Sequence, residues 1–396
     1  MGTQKGTVCN YIGNFVGTVD RRIKLALLGA FCYNLTQGLS FTLIRLQANY
    51  LGDFRTLGLV VGLPNFALVG GSAFWGYVAD RWRSRKSVVV LCSIVTALLY
   101  LPLPWLGPLE LVLVRTIQSF FLGGMVQIAT MFSELDSSAR GSFMGRLESV
   151  LGLGWGVGAF AGAYLVTEDS YGLGSGPVIF SFFFTAFLGL ISVIGYMSST
   201  EKKRDLVKVE ENFFVYFMRL SRLFLITFIL FMGYIFFLTI SPVYLTNIAG
   251  SSSRMGLIVL CSGLIHALAA PYAGNLIDKY PRETAIRVAS AFVILSLLAY
   301  SLTENLYVIT LVFTIPIYMT FFLGARTIVA DTVPYDLRAR MMGLLSSFSL
   351  LGSGSGSLIV GELLLYYEEQ QVFLFGAFLA SIAFILSLKN FSHLRN

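Results

Sequence analysis

The feature that most constrains this chain is a recurring run of about 20 mostly apolar residues, each long enough to cross roughly 30 Å of hydrocarbon. Twelve such spans fit the sequence. The first six fall near 24–47, 57–79, 87–106, 109–131, 143–166 and 177–198. The second six fall near 222–246, 254–277, 284–302, 306–330, 341–365 and 372–390. Numbered in chain order, they predict an all-α integral membrane protein of twelve transmembrane helices. Only 12% of the residues are charged and 56% are hydrophobic. A soluble domain averages about 25% charged residues, so this chain has too little polar surface to coat one. The first residues (MGTQKGTVCNYIGNF) lack the basic start, apolar run and small-residue cleavage site of a signal peptide, so span 1 is expected to stay. Cys9, Cys32, Cys92 and Cys261 are far apart, with no CxxC and no histidine beside them. Neither a disulfide framework nor a metal site is expected.

The basic residues set the expected topology. Of the 28 Lys and Arg, Arg55 and Arg254 lie in loops on one side, and Arg45, Arg115 and Arg326 lie within spans. All the others lie at the termini or in loops 2–3, 4–5, 6–7, 8–9 and 10–11, which share a side when the number of crossings is even. Lys and Arg are retained in the cytoplasm. Both termini are therefore expected inside, in the plasma membrane, and the absence of external Asn-X-Ser/Thr sequons points to a prokaryotic one. The net charge of +7 then reflects topology and gives no reason to expect nucleic acid.

The chain also repeats itself. An offset of 198 residues, half its length, places Asn49 and Gly52 on Asn247 and Gly250, and Gly76 and Asp80 on Gly274 and Asp278. The same offset places Arg140 and Gly145 on Arg338 and Gly343, and Gly154, Gly156 and Gly158 on Gly352, Gly354 and Gly356. Each unit holds six spans, so both cross in the same sense, as parallel repeats about an axis along the membrane normal. The expected organisation is a six-helix bundle over 1–198, a charged linker over 199–221 and a second bundle over 222–396.

Residues 76–86 read GYVADRWRSRK. A Gly, three residues, Asp-Arg and a trailing basic pair resemble the loop 2–3 signature of the major facilitator superfamily, with GNLIDKYPR (274–282) as a weaker echo. Arg115-Thr-Ile-Gln118 followed by Gly123-Gly124 is similar to that superfamily's helix 4 pattern. SPVYL (241–245) resembles its drug- and sugar-efflux branch. The Gly152 to Gly162 tract keeps the glycines of the antiporter helix 5 signature and lacks its proline. The resemblance implies a secondary transporter working by alternating access, without enzymatic activity or cofactor. It also implies that spans 1, 4, 7 and 10 line the cavity.

The signature loop reads as a gate. Asp80 ends span 2, where its carboxylate can face the positive N-terminal end of another helix; the resemblance points to span 11. Arg81, Arg85 and Lys86 can pair with Glu134 and Asp136 of loop 4–5. Gly76, Gly274, Asp278, Arg140 and Arg338 complete this gating set. The glycine tracts of spans 5 and 11 allow close helix approach, either as static packing or as sliding faces.

Ionisable residues inside a bilayer are expensive and usually functional. Arg45, Arg115, Arg326 and His266 are such residues here, and no Asp or Glu lies at mid-depth. A cation-lined cavity favours an anionic or polar substrate. Asn34, Gln37 and Gln118 add amides expected to touch it. Each has a plainer reading: Arg45 snorkelling outward, Arg326 paired with Asp331 or Glu148, and the amides bonding between helices. Glu148 and His266 are the coupling candidates, with H+ as a possible partner. An exporter of the proton-coupled multidrug or sugar type remains the alternative. With two histidines and no long loop, a membrane-embedded enzyme or a receptor has little support. A monomer in the lipid bilayer is expected.

Overall fold

The computed structural model describes residues 21–128, 140–166, 174–198, 213–277 and 281–389. Thirteen α-helices lie among them. The first half contains α1 (Arg21–Leu51), α2 (Phe54–Trp82), α3 (Arg85–Leu98), α4 (Pro108–Leu122), α5 (Arg140–Leu165) and α6 (Gly176–Met197). The second contains α7 (Phe213–Ala249), α8 (Ser252–Ile277), α9 (Arg282–Leu302), α10 (Leu306–Phe313), α11 (Ile317–Thr332), α12 (Tyr335–Leu363) and α13 (Glu369–Leu388). Ten stretches are long and apolar enough to cross a membrane by themselves. The twelve expected crossings are present, because α10 and α11 together make the tenth. Hydrocarbon offers backbone groups no partners, so a chain this apolar satisfies them within helices.

Several elements differ from the sequence expectation for local reasons. Span 10 is expected to be continuous but breaks at Thr314-Ile315-Pro316. Pro316 has no N–H, and its ring crowds the carbonyl four residues earlier. Span 4 stops as an α-helix at Leu122 and tightens into a 3-10 turn over Gly123–Val126, where Gly71 of α2 lies against it. Helix α7 begins at Phe213, nine residues before the apolar span, and α12 starts at Tyr335, directly after Pro334. Arg83 ends α2 in the left-handed conformation at φ 51°, and Ser84 caps α3 through the Ser87 amide. The signature loop is therefore a two-residue hinge between helix ends.

The halves meet at two crossings, α2 on α12 and α5 on α8. A Cβ on Gly58 would lie 2.7 Å from the Ser357 carbonyl oxygen, and one on Gly361 would lie 2.9 Å from the Gly58 Cα. At the second crossing a Cβ on Gly263 would lie 2.9 Å from the Gly156 Cα. Real side chains do not fit at such distances, so backbone rests on backbone. The first crossing occupies the end of the bundle away from the signature loop, and the second runs from near the middle of α5 and α8 towards that same end. Arg55 closes the first with a two-pronged ion pair to Glu362, at 2.6 and 3.0 Å. Ser252 ties α8 to the end of α5 by donating to the Val166 carbonyl at 3.2 Å. Towards the signature loop the same helices part, and a Cβ on Gly70, Gly152 or Gly343 would meet open space. The space between the halves is thus sealed at one end, here called the sealed face, and splayed at the other, the basic face.

Gly361→Leu is expected to prevent this seal. In a background with the native cysteines replaced, Ser353→Cys should then become several-fold more reactive to an impermeant maleimide added from the sealed side. Unchanged labelling would show that the crossing tolerates a side chain.

Candidate functional site

The cavity between the halves has a volume of about 260 Å3. Its wall comes from α1 (Gln37, Ser40, Arg45), α2 (Asn65), α4 (Arg115, Ser119) and, from the second half, Ile235 of α7 and Ser353 of α12. Apolar residues including Val60, Val61 and Leu68 complete it, and none of the described lining residues is acidic.

Arg45 lies six residues from the sealed-face end of α1. Side chains on a helix point back toward its N-terminus, which turns Arg45 into the cavity and away from the outer surface. Its guanidinium donates to the Phe41 carbonyl at 3.1 Å and sits 4.2 Å above the Phe41 ring. That ring stands edge-on to Trp155 of α5 at 5.2 Å. The outward snorkel is therefore not adopted. The Nε of Arg45 is buried without a partner, as is the amide nitrogen of Gln37. Arg115 enters from α4, near enough for the two guanidinium charges to repel. Gln118 does not reach the cavity. Fully buried behind Arg115, it accepts from that guanidinium and donates to the Thr96 carbonyl at 3.0 Å. It holds Arg115 in place.

Other sequence-selected residues go elsewhere. Asn34 donates to the Leu151 carbonyl of α5 at 2.8 Å, an interhelical bond within the first half. His266 lies 3.4 Å from the Ile315 carbonyl at the break of the tenth crossing. One turn away Ser262 donates to the Phe313 carbonyl at 3.2 Å. These two α8 side chains, four apart, reach carbonyls at the break; the Ile315 carbonyl also accepts from the Ile317 N–H at 2.8 Å. Arg326 lies over the Phe322 ring at 5.2 Å. Asp331, weighed as its partner, is 3.4 Å from Arg282 instead.

Of the gating set, Asp80 is exposed, and among the described residues no hydrogen bond joins it to α12. Arg81 reaches the Tyr77 hydroxyl at 3.5 Å. A Cβ on Gly76 would meet only the Gln127 amide at 3.6 Å, an ordinary contact. Arg85 and Lys86 open α3 at the same hinge, and Arg338 donates to the Val333 carbonyl at the end of α11. Asp278, Glu134 and Asp136, the surroundings of Gly274, and the side chains of Arg140 and Glu148 lie outside the described residues.

The sequence reading did not select Asn65, Ser119 or Ser353, and it marked Ser40 only as an unusual polar residue of span 1. Asn65 follows Pro64 inside an apolar span, a signal that could have marked it. Ser353 was read only as part of a glycine-rich packing face. At the sealed face a second opening of about 470 Å3 is lined by Asn49, Tyr50, Thr246, Asn247 and Gly250 among others. The repeat-related pair Asn49 and Asn247 therefore shares one vestibule.

The frame thus has two membrane bundles, a cavity between repeat-related halves and a seal at one end. The Major Facilitator Superfamily model matches residues 26–325 and 223–392. The chain belongs to this superfamily. It is a multi-pass membrane protein of a family of transporters. The Staphyloferrin B transporter of Staphylococcus aureus (strain NCTC 8325 / PS 47) is 29% identical over 155 residues, 38% of this chain and 34% of that protein. The quinolone resistance protein NorA of Staphylococcus aureus is 25% identical over 167 residues, 41% of this chain and 42% of that protein. The matched stretch thus spans well under half the length of either relative. The crystal structure of the nucleoside transporter NupG shares the fold at a TM-score of 0.74 and 16% identity, covering 94% of this chain and 100% of that one.

If Asn34 serves only to join α1 to α5, Asn34→Ala costs about 0.5–1 kcal/mol, the usual worth of an interhelical hydrogen bond in membranes. Reversible denaturation in micelles should report that loss, with ligand affinity unchanged.

Proposed function

We propose that this transporter carries a small anionic or polar organic solute whose charged group rests between Arg45 and Arg115. The observation that carries this reading is a cavity holding two guanidiniums and the unpartnered Gln37 amide, with no carboxylate among its described lining residues. Uncompensated buried charge is costly, and a bound anion removes that cost for both arginines at once. Hydrogen bonds to charged partners contribute about 1.5–3 kcal/mol.

In this reading the basic face is cytoplasmic and both termini are inside, in a plasma membrane. The state described is then inward-facing. Among the described residues Asp80 makes no hydrogen bond to α12 here, and in this reading its contact with α12 forms when the cytoplasmic side closes. The exposure of Asp80 is compatible with this. Asp80→Asn is expected to slow transport while insertion and thermal stability stay unchanged; a wild-type flux rate would remove Asp80 from the mechanism. Proton coupling would fall to Glu148 or His266.

The partial likeness to a quinolone resistance protein supports export as a second reading, with the same cavity emptied outward. The decisive experiment pairs a thermal-shift screen of purified protein against anions, sugars, amino acids and cationic drugs with proteoliposome flux at several pH values. Anions should stabilise the wild type, and Arg45→Gln or Arg115→Gln should weaken them about 10- to 100-fold, the loss of one charge-assisted contact. Stabilisation by cations alone would overturn the anionic reading.

A further inference from the structure

The protein does not balance the charge of its own cavity. Arg115 donates to the Gln118 side chain, and Arg45 donates to the Phe41 carbonyl and lies over the Phe41 ring. These partners are neutral, and among the described residues neither guanidinium meets a carboxylate. The same partners hold both groups from behind. Phe41 lies one turn before Arg45 on α1, and Gln118 is itself tied to the Thr96 carbonyl of α3. Two like charges are thereby kept near each other, where unrestrained side chains would swing apart. Both belong to the first half, so movement between the halves leaves their spacing unchanged.

The unmet groups are of one kind. The Arg45 Nε and the Gln37 amide nitrogen are buried without partners, and each can only donate. A guanidinium carries five N–H donors and no acceptor. Ser119, four residues beyond Arg115 on α4, adds a hydroxyl to the same wall, as do Asn65 an amide and Ser353 a second hydroxyl. A ligand that answers such a wall presents acceptors, as an ionised oxyanion does. The cavity of about 260 Å3 falls below the roughly 300–1,000 Å3 of sites for drug-sized ligands. The oxyanion is therefore compact.

Resting on the anionic reading above, we infer that the solute is a compact dianion, with one negative charge for each of Arg45 and Arg115. A monoanion leaves one guanidinium buried without a countercharge, which is costly. A dianion is harder to dehydrate than a monoanion, so a preference for it arises only where both arginines meet it. Two chemistries supply such a charge: a single phosphate monoester group, or two carboxylates on a short chain.

Purified full-length protein in nanodiscs would be titrated with two matched pairs by calorimetry and thermal shift, at about pH 8, where a phosphate monoester carries close to two charges. Methyl phosphate and methyl sulfate share a shape and differ by one charge; succinate and its monomethyl ester do the same for carboxylates. In at least one pair the dianion should bind at least about tenfold tighter, the lower end of what a hydrogen bond to a charged group contributes. The pair that shows it distinguishes a phosphate group from a dicarboxylate. Arg45→Gln and Arg115→Gln should each bring that ratio to within about threefold of one, because a monoanion matches the single guanidinium that remains. Relief of the repulsion should leave the apo melting temperature of each variant at or above that of the wild type, and the wild-type ratios decide the matter even if a variant fails to fold. Equal affinities within both pairs, or a dianion preference that survives in both variants, overturn the dianion and leave the anionic reading standing. Dimethyl succinate binding as tightly as succinate, or no binding by any of the four anions, overturns the anionic reading and this inference with it.

Discussion

Backbone lying on backbone holds the two halves of this transporter together and lets them part. In lipid no hydrophobic force draws one helix to another, and association rests on close packing and polar contacts. At the α2–α12 and α5–α8 crossings the packing partners are glycines, Gly58 on Gly361 and Gly156 on Gly263. Around these points a few side chains, Leu358 over Gly62 and Phe66 over Gly354, fill the remaining space. The ion pair of Arg55 and Glu362 sits over the first crossing with both side chains about half exposed. Exposed pairs of this kind contribute about 0–1 kcal/mol. A seal built from such weak terms suits a carrier that must open it in every cycle.

A second constraint is the accounting of backbone polar groups inside the bilayer, where an unmet carbonyl is expensive. Pro316 breaks the tenth crossing at mid-depth. Ser262 and His266 reach carbonyls at the break from α8. A histidine that the sequence marks as a possible substrate ligand thus has a structural task already.

Charge is distributed unequally over this nearly symmetric frame. At the repeat offset, Arg45 corresponds to Val243, Arg115 to Phe313 and Gln37 to Ile235. Each polar member belongs to the first half and each apolar one to the second. Gln118, whose counterpart is Pro316, supports Arg115 from behind, whereas at the matching place in the second half the helix breaks. Both arginines of the cavity therefore come from the first half, and the second half contributes Ile235 and Ser353.

Much of this architecture is determined by the sequence alone, because its causes are local or periodic. Apolar runs of membrane length, basic loops and matching glycines at a fixed offset give the twelve crossings, the duplication and the family without reference to any contact. Arg45 and Arg115 are legible for the same reason, since a charge within an apolar run stands out wherever the chain folds. Tertiary structure decided what those residues face. Asn34 and Gln37 are three apart on α1 and look equivalent in sequence, yet Asn34 finds the Leu151 carbonyl while the Gln37 nitrogen is left in the cavity. The side of a neighbouring helix on which an amide lands depends on crossing angles that no single span encodes. The open and sealed ends, the inward turn of Arg45 and the use of His266 at the helix break are likewise properties of packing between distant segments, and only the assembled bundle fixes them.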